Sequence, residues 1–332
     1  MSWKNALKTL FGIALLVLLF TQVSPVAVWD QIRSLPLLWL IPAGLAFLSI
    51  YLFRTWRFQK LLPDGLGFWA LFQVVSIQSL ANVILPARLG EVSYLYFLKR
   101  KQVPLAESVS SLLLARVFDL VALSSIFFLF LFFFETPPEG SEYLIYVILL
   151  FFGVFSVCFL AAIFLKEWLW CRIEKIIVLI PFINQRSEYL RQAFYTFVAA
   201  FSSLSNVRHL LQVFAISLGV WGSAHVFGYL CMVKILHLSL NLPETVFVLS
   251  FLQLVGLLPI HPFGGVGTVD AAWAYAVMSF GVTRDLAISS ALTAHVMTYA
   301  FSLLLGMISC GTLISMRGKL FLRSQDRESG SL

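Results

Sequence analysis

Apolar residues in this chain come in long unbroken runs, and polar residues gather in the gaps between them. Runs of this kind predict helices surrounded by hydrocarbon, because strands alternate and helices on a soluble core carry an apolar stripe only. Spanning a bilayer takes about 20 apolar residues. Six candidates lie near residues 9–23, 35–53, 105–134, 143–165, 209–233 and 286–314. Two more runs, 68–85 and 244–258, each stop at a proline and are followed by a short apolar piece, 92–98 or 268–280. These read as hairpins that enter the membrane and turn back, although 68–85 alone is long enough for about 27 Å of helix. The pattern predicts an all-α polytopic membrane protein, with six spanning helices and two re-entrant hairpins. It forms one integral membrane domain over residues 1–332, with a first repeat at 66–134 and a second at 244–314.

Composition agrees. The chain is 60% hydrophobic and 12% charged, with mean hydropathy +0.91, where a soluble domain carries about 25% charged residues. The net charge of +7 is one-sided. With a cytoplasmic amino terminus, most of the 23 Lys and Arg fall on the cytoplasmic side, among them Arg54, Arg57 and Lys99 to Lys101. Only Arg33, Lys234 and Arg284 fall outside. This is the positive-inside pattern. It accounts for the basic balance without nucleic acid and places the chain in a cell inner (plasma) membrane, multi-pass, with both termini cytoplasmic. It also favours the first hairpin turning back, since a full crossing would carry Lys99 to Lys101 outside. The basic start and following apolar run look like a signal peptide, but Pro25 fits a cleavage site poorly, so a retained helix is expected. The four cysteines stand far apart and read as single buried thiols.

Residues 166–208 differ. Leu190, Phe194, Phe197, Phe201 and Leu204 recur at helical spacing among polar residues. The segment reads as an amphipathic cytoplasmic linker, lying on the membrane surface or folded back on the bundle.

The parts on either side of it are related. An offset of 179 residues puts Glu91 on Asp270 and Arg116 on His295. The same offset matches Tyr96 with Tyr275, Val103 with Val282, Ser110 and Ser111 with Ser289 and Ser290, and Ala115 with Ala294. Each half thus has an acid followed 25 positions later by a base. With one hairpin entering from each side, the halves form an inverted repeat, an arrangement common in transporters that bind substrate at the midplane.

The hairpin tips carry the chemistry. In "NVILPARLGE" (82–91), Pro86 breaks the helix and Gly90 allows a crowded reversal. In "LLPIHPFGGVGTVD" (257–270), Pro259 and Pro262 are the breakers, and Gly264, Gly265 and Gly267 form the turn. A charge at membrane depth costs at least about 2.5–3.5 kcal/mol, so it must pair or line a polar path. Arg88, Glu91, Arg116, Asp119, His261, Asp270 and His295 are the candidate substrate-binding residues, ringing a central hydrated cavity. A guanidinium there can grip a phosphate, and a carboxylate can meet an amine or an arginine. Each has a plainer alternative: Arg116 with Asp119, or Arg88 with Glu91, pairing to hold helices in register; His295 as a packing residue; His261 as a helix cap. Tyr94, Tyr96, Trp273 and Tyr275 read as interface or packing aromatics.

The stretch "LPARLGEVSYLYFLKRKQVPLAESVSSLLLARVFD" (85–119) resembles the first signature block of the lysylphosphatidylglycerol synthase transmembrane-region family, also called flippase-like domain proteins, and "LPIHPFGGVGTVDAAW" with "AISSALTAHV" (258–296) resembles its second. The resemblance covers essentially the whole chain. It implies a membrane unit that flips an aminoacylated phosphatidylglycerol made by a separate cytoplasmic domain, which these 332 residues are not expected to contain. Members of the family usually have glutamate where this chain has Asp270, and often arginine where it has His295.

The expected function is a flippase-like translocator moving an anionic or aminoacylated phospholipid, or a related polyprenyl-type lipid. No catalytic, metal, cofactor or ATP-binding motif is present, so transport is expected to be downhill or proton-coupled, with Glu91, Asp119, Asp270 and His295 as candidate carriers. Two other readings stand beside it. One is a non-transporting scaffold that docks a lipid-modifying enzyme through 166–208; the other is an intramembrane enzyme acting on polyprenyl-phosphate lipids.

Overall fold

The computed structural model describes residues 29, 32–62, 66–85, 89–133, 207–257 and 265–329, with isolated positions between 143 and 195. The described residues are helical, with no strand among them. The helices are α1 (Leu37–Leu61), α2 (Phe68–Ile84), α3 (Gly90–Arg100), α4 (Leu105–Leu131), α5 (Val207–Tyr229), α6 (Leu242–Leu257), α7 (Thr268–Met278) and α8 (Arg284–Ser329). Helix α5 runs on through a wider turn, Leu230–Ile235.

Four stretches are long and apolar enough to cross a membrane: 37–61, 105–131, 207–235 and 284–312. They correspond to four of the six expected spans. The other two, at 9–23 and 143–165, lie outside the residues described as continuous helix, as does the 166–208 linker apart from Val207 and Arg208, which begin α5. The apolar exterior fits lipid contact, with Leu37, Leu38 and Phe132 all well exposed. Of the thiols, Cys231 is buried and Cys310 half-buried, while Cys171 is exposed, contrary to the expectation of uniformly buried cysteines.

The described helices fall into two sets in the same order: a long helix, a shorter one, an 11-residue piece and a second long helix. The two leading helices, α1 and α5, pack against each other. Each set's second helix also packs on the last helix of the other set, α2 on α8 and α6 on α4. Helices α3 and α7 span only about 16 Å at ~1.5 Å per residue, half a hydrocarbon core. Each packs on its predecessor, α3 on α2 and α7 on α6. The α2–α3 approach depends on Gly90. A Cβ there would lie 2.5 Å from the Asn82 amide nitrogen and 2.6 Å from the Gln78 carbonyl oxygen.

One boundary departs from expectation. The hydropathy pattern stops the second span at residue 53, because Arg54, Arg57 and Lys60 interrupt it. The helix continues to Leu61, and Arg57 is buried among its neighbours at 2% exposure. Arg54 and Arg57 are therefore bundle residues and not part of a cytoplasmic basic loop.

Candidate functional site

Two charged clusters form where the short helices meet the long ones. In the first, Arg116 of α4 is ion-paired to Glu91 in the first turn of α3. Arg116 Nη1 also lies 3.8 Å from Asp119 Oδ2, one turn along α4. Asp119 is the deeper carboxylate. Its Oδ1 accepts from Arg57 Nη1 at 2.5 Å and from Trp221 Nε1 at 2.9 Å, joining α1, α4 and α5. Arg57 Nη1 further donates to Ser217 Oγ at 3.3 Å. These partners offset the large cost of withdrawing the charges from water.

The second cluster joins α7 to α8. His295 Nδ1 is 2.7 Å from Asp270 Oδ1, and Asp270 Oδ2 accepts the Gly267 amide at 2.8 Å. That amide belongs to the α7 N-terminus, where Gly265 (φ +93°) and Gly267 (φ +83°) make the left-handed turn that glycine tolerates. Tyr299 packs edge-on against the imidazole, with ring centroids 4.5 Å apart.

The central pairs of the two clusters, Glu91–Arg116 and Asp270–His295, correspond at the 179-residue offset, whereas Asp119, Arg57 and Tyr299 have no equivalent there. Arg116 is the twelfth residue of α4, as His295 is of α8, putting each about 16 Å into its helix at ~1.5 Å per residue. Behind them, the Tyr94 hydroxyl lies 2.9 Å from Ser111 Oγ, and Trp273 Nε1 donates to Ser290 Oγ at 3.1 Å. Both serines pass their own proton back one turn, Ser111 to Ser108 O and Ser290 to Ala287 O, so Tyr94 is the donor in its pair. The short helices end alike too, at Gln102 (φ 64°) and Gly281 (φ 80°), where Val103 and Val282 donate to Leu98 and Val277.

Between the clusters lies a cavity of about 440 Å³. Its wall includes Arg54 and Arg116 from one set of helices, and Asp270, His295 and Tyr299 from the other. Arg54 forms no hydrogen bond or salt bridge among the described residues. Among the described residues, Arg54, Arg57 and Arg116 outnumber Glu91 and Asp119 by one at this end of the cavity.

The family model for the lysylphosphatidylglycerol synthase TM region matches residues 5–306. The chain belongs to that family. Comparison with curated proteins returns no match. Membership of the lysylphosphatidylglycerol synthase TM family, together with the apolar helices, makes this a membrane protein.

Within this family member, the residues singled out in the sequence divide into three groups. Arg116, Asp270 and His295 line the cavity. Glu91 and Asp119 are engaged by arginines, Glu91 by Arg116 with a third of its side chain exposed and Asp119 by the buried Arg57. Asp270, at 3% side-chain exposure, is oriented by its two partners and offers no free oxygen to an amine. Arg88 and His261, with Pro86, Pro259, Pro262 and Gly264, lie outside the described residues. Arg54, Arg57, Trp221 and Tyr299 join the site without being among its sequence candidates. Arg54 and Arg57 had a usable signal, since two arginines one turn apart can continue a helix as readily as begin a loop.

Proposed function

We propose that this chain translocates a lipid with an anionic headgroup, carrying the phosphate through the cavity between two inverted halves. The observation that carries the proposal is Arg54. It is a guanidinium facing a membrane-depth cavity without an ion-pair partner among the described residues, beside a second guanidinium, Arg116. A charge so placed is costly unless water or an anion compensates it, and arginine matches phosphate as a fork of donors. The repeated hydrogen bonds at one fixed offset support an ancestral duplication. The one-sided charge pattern supports opposite orientations of the halves, in an inner membrane with cytoplasmic termini. In this reading the acyl chains stay in lipid, the halves rock about the site, and the chain moves its substrate without chemically altering it or using ATP.

The test is reconstitution in liposomes with a fluorescent phosphatidylglycerol. Transfer between leaflets well above that of protein-free liposomes supports the reading. Background transfer by folded protein removes it and favours the scaffold that binds a lipid-modifying enzyme.

A further inference from the structure

The matched positions of the two clusters differ in one chemical respect. The first half puts a guanidinium at Arg116, which stays charged at any physiological pH. The second half puts an imidazole at His295, the side chain type whose charge changes between about pH 5 and 8. Asp270 has committed both oxygens, one to His295 Nδ1 and one to the Gly267 amide. It therefore fixes the tautomer: Nδ1 donates to the carboxylate, leaving Nε2 of this cavity-lining residue with no hydrogen bond among the described residues. Resting on the lipid-transfer reading, we infer that His295 is a further phosphate ligand of the cavity, opposite the two arginines, and that it binds the phosphate only when Nε2 carries a proton.

In the neutral ring, Nε2 presents a lone pair, which repels a phosphate oxygen. When it takes a proton from cavity water it becomes an N–H donor, while Nδ1 stays on Asp270 as Arg116 stays on Glu91. The proton returns to water when the phosphate leaves. The other candidate carriers are engaged by arginines, Glu91 by Arg116 and Asp119 by Arg57. The remaining titratable groups around the cavity do not duplicate this role. They are Tyr51 and Arg54 on α1, Arg116 on α4, Cys231 in the turn after α5 and Tyr299 on α8 itself. Helices α2 and α6 contribute Asn82 and Gln253, which do not titrate. Asp270 is a positioning residue in this scheme, and His295 is the ligand.

The experiment is calorimetric titration of the full-length protein in a neutral detergent with dihexanoyl phosphatidylglycerol at pH 6 and pH 8, in buffers of differing ionisation enthalpy. Wild type should bind about tenfold or more weakly at pH 8, with uptake of up to about one proton on binding. His295→Arg should bind equally at both pH values with no linked proton, because the arginine can pair with Asp270 as Arg116 pairs with Glu91. His295→Gln should be weak at both, with an unchanged elution profile showing that it is folded. A pH dependence that persists in His295→Arg, or tight binding by His295→Gln at pH 6, overturns the inference while leaving the lipid-transfer reading intact. Failure of wild type to bind at either pH removes both.

Discussion

Arg57 on α1 and Asp119 on α4 form an ion pair, Nη1 to Oδ1 at 2.5 Å, with side-chain exposures of only 2% and 11%. The same carboxylate oxygen accepts the Trp221 indole of α5, so one buried charge fastens three helices beside the cavity. Removing one partner strands the other. Arg57→Ala should cost about 3–5 kcal/mol, read as a lowered unfolding midpoint in detergent. The Arg57→Ala/Asp119→Ala double variant should lose clearly less than the sum of the single variants. Additive losses would mean that the pair does not act as a unit.

Gly90 marks a backbone contact that the first hairpin needs. Gly90→Ala should destabilise by about 1–3 kcal/mol, because the methyl meets backbone of α2 that cannot swing aside. Gly67→Ala is the control, since nothing lies within 4 Å of a Cβ at that position. The same unfolding assay on both variants checks the contrast.

Ser111 and Ser290 each accept from an aromatic donor on the short helix of their own half. Replacing either with alanine leaves a buried N–H or O–H without its acceptor, at about 1–3 kcal/mol. Ser111→Ala and Ser290→Ala should therefore cost similar amounts. A large loss in one and none in the other would show that the matched geometry does not carry matched energy.

Opposite orientation of the halves is testable by labelling. In a cysteine-free background, Arg100→Cys and Arg284→Cys place exposed thiols at the bases of the two hairpins. A membrane-impermeant maleimide should reach the first only from the cytoplasmic side and the second only from outside. Reaction of both from one side would contradict an inverted arrangement.

Much of the fold was legible because lipid simplifies the code. A helix such as 105–131 is apolar enough over its length to declare itself despite the charges it carries. The recurring acid–base spacing of Glu91/Arg116 and Asp270/His295 was legible through duplication, but the pairs expected from sequence were Arg116 with Asp119 and Arg88 with Glu91, and the ion pair found is Arg116 with Glu91. Arg54 and Arg57 were not legible, because hydropathy treats an arginine as an end of membrane and cannot see the carboxylate 62 positions away that makes its burial tolerable. Nor could spacing separate Asp119 from Arg116. They share a helix face one turn apart, and only the indole of Trp221 and the guanidinium of Arg57 turn Asp119 away from the cavity.

The most direct test of the central claim is leaflet-to-leaflet transfer of fluorescent phosphatidylglycerol by Arg54→Ala in liposomes, compared with wild type and Arg54→Lys. The cavity wall is otherwise unchanged in these variants, and Arg54 contributes no ion pair among the described residues whose loss would unfold the bundle. The expected result is a fall of at least about tenfold for Arg54→Ala, the loss of one charge-assisted contact of about 1.5–3 kcal/mol, with partial activity in Arg54→Lys. Equal transfer by all three would contradict passage of the phosphate along this guanidinium.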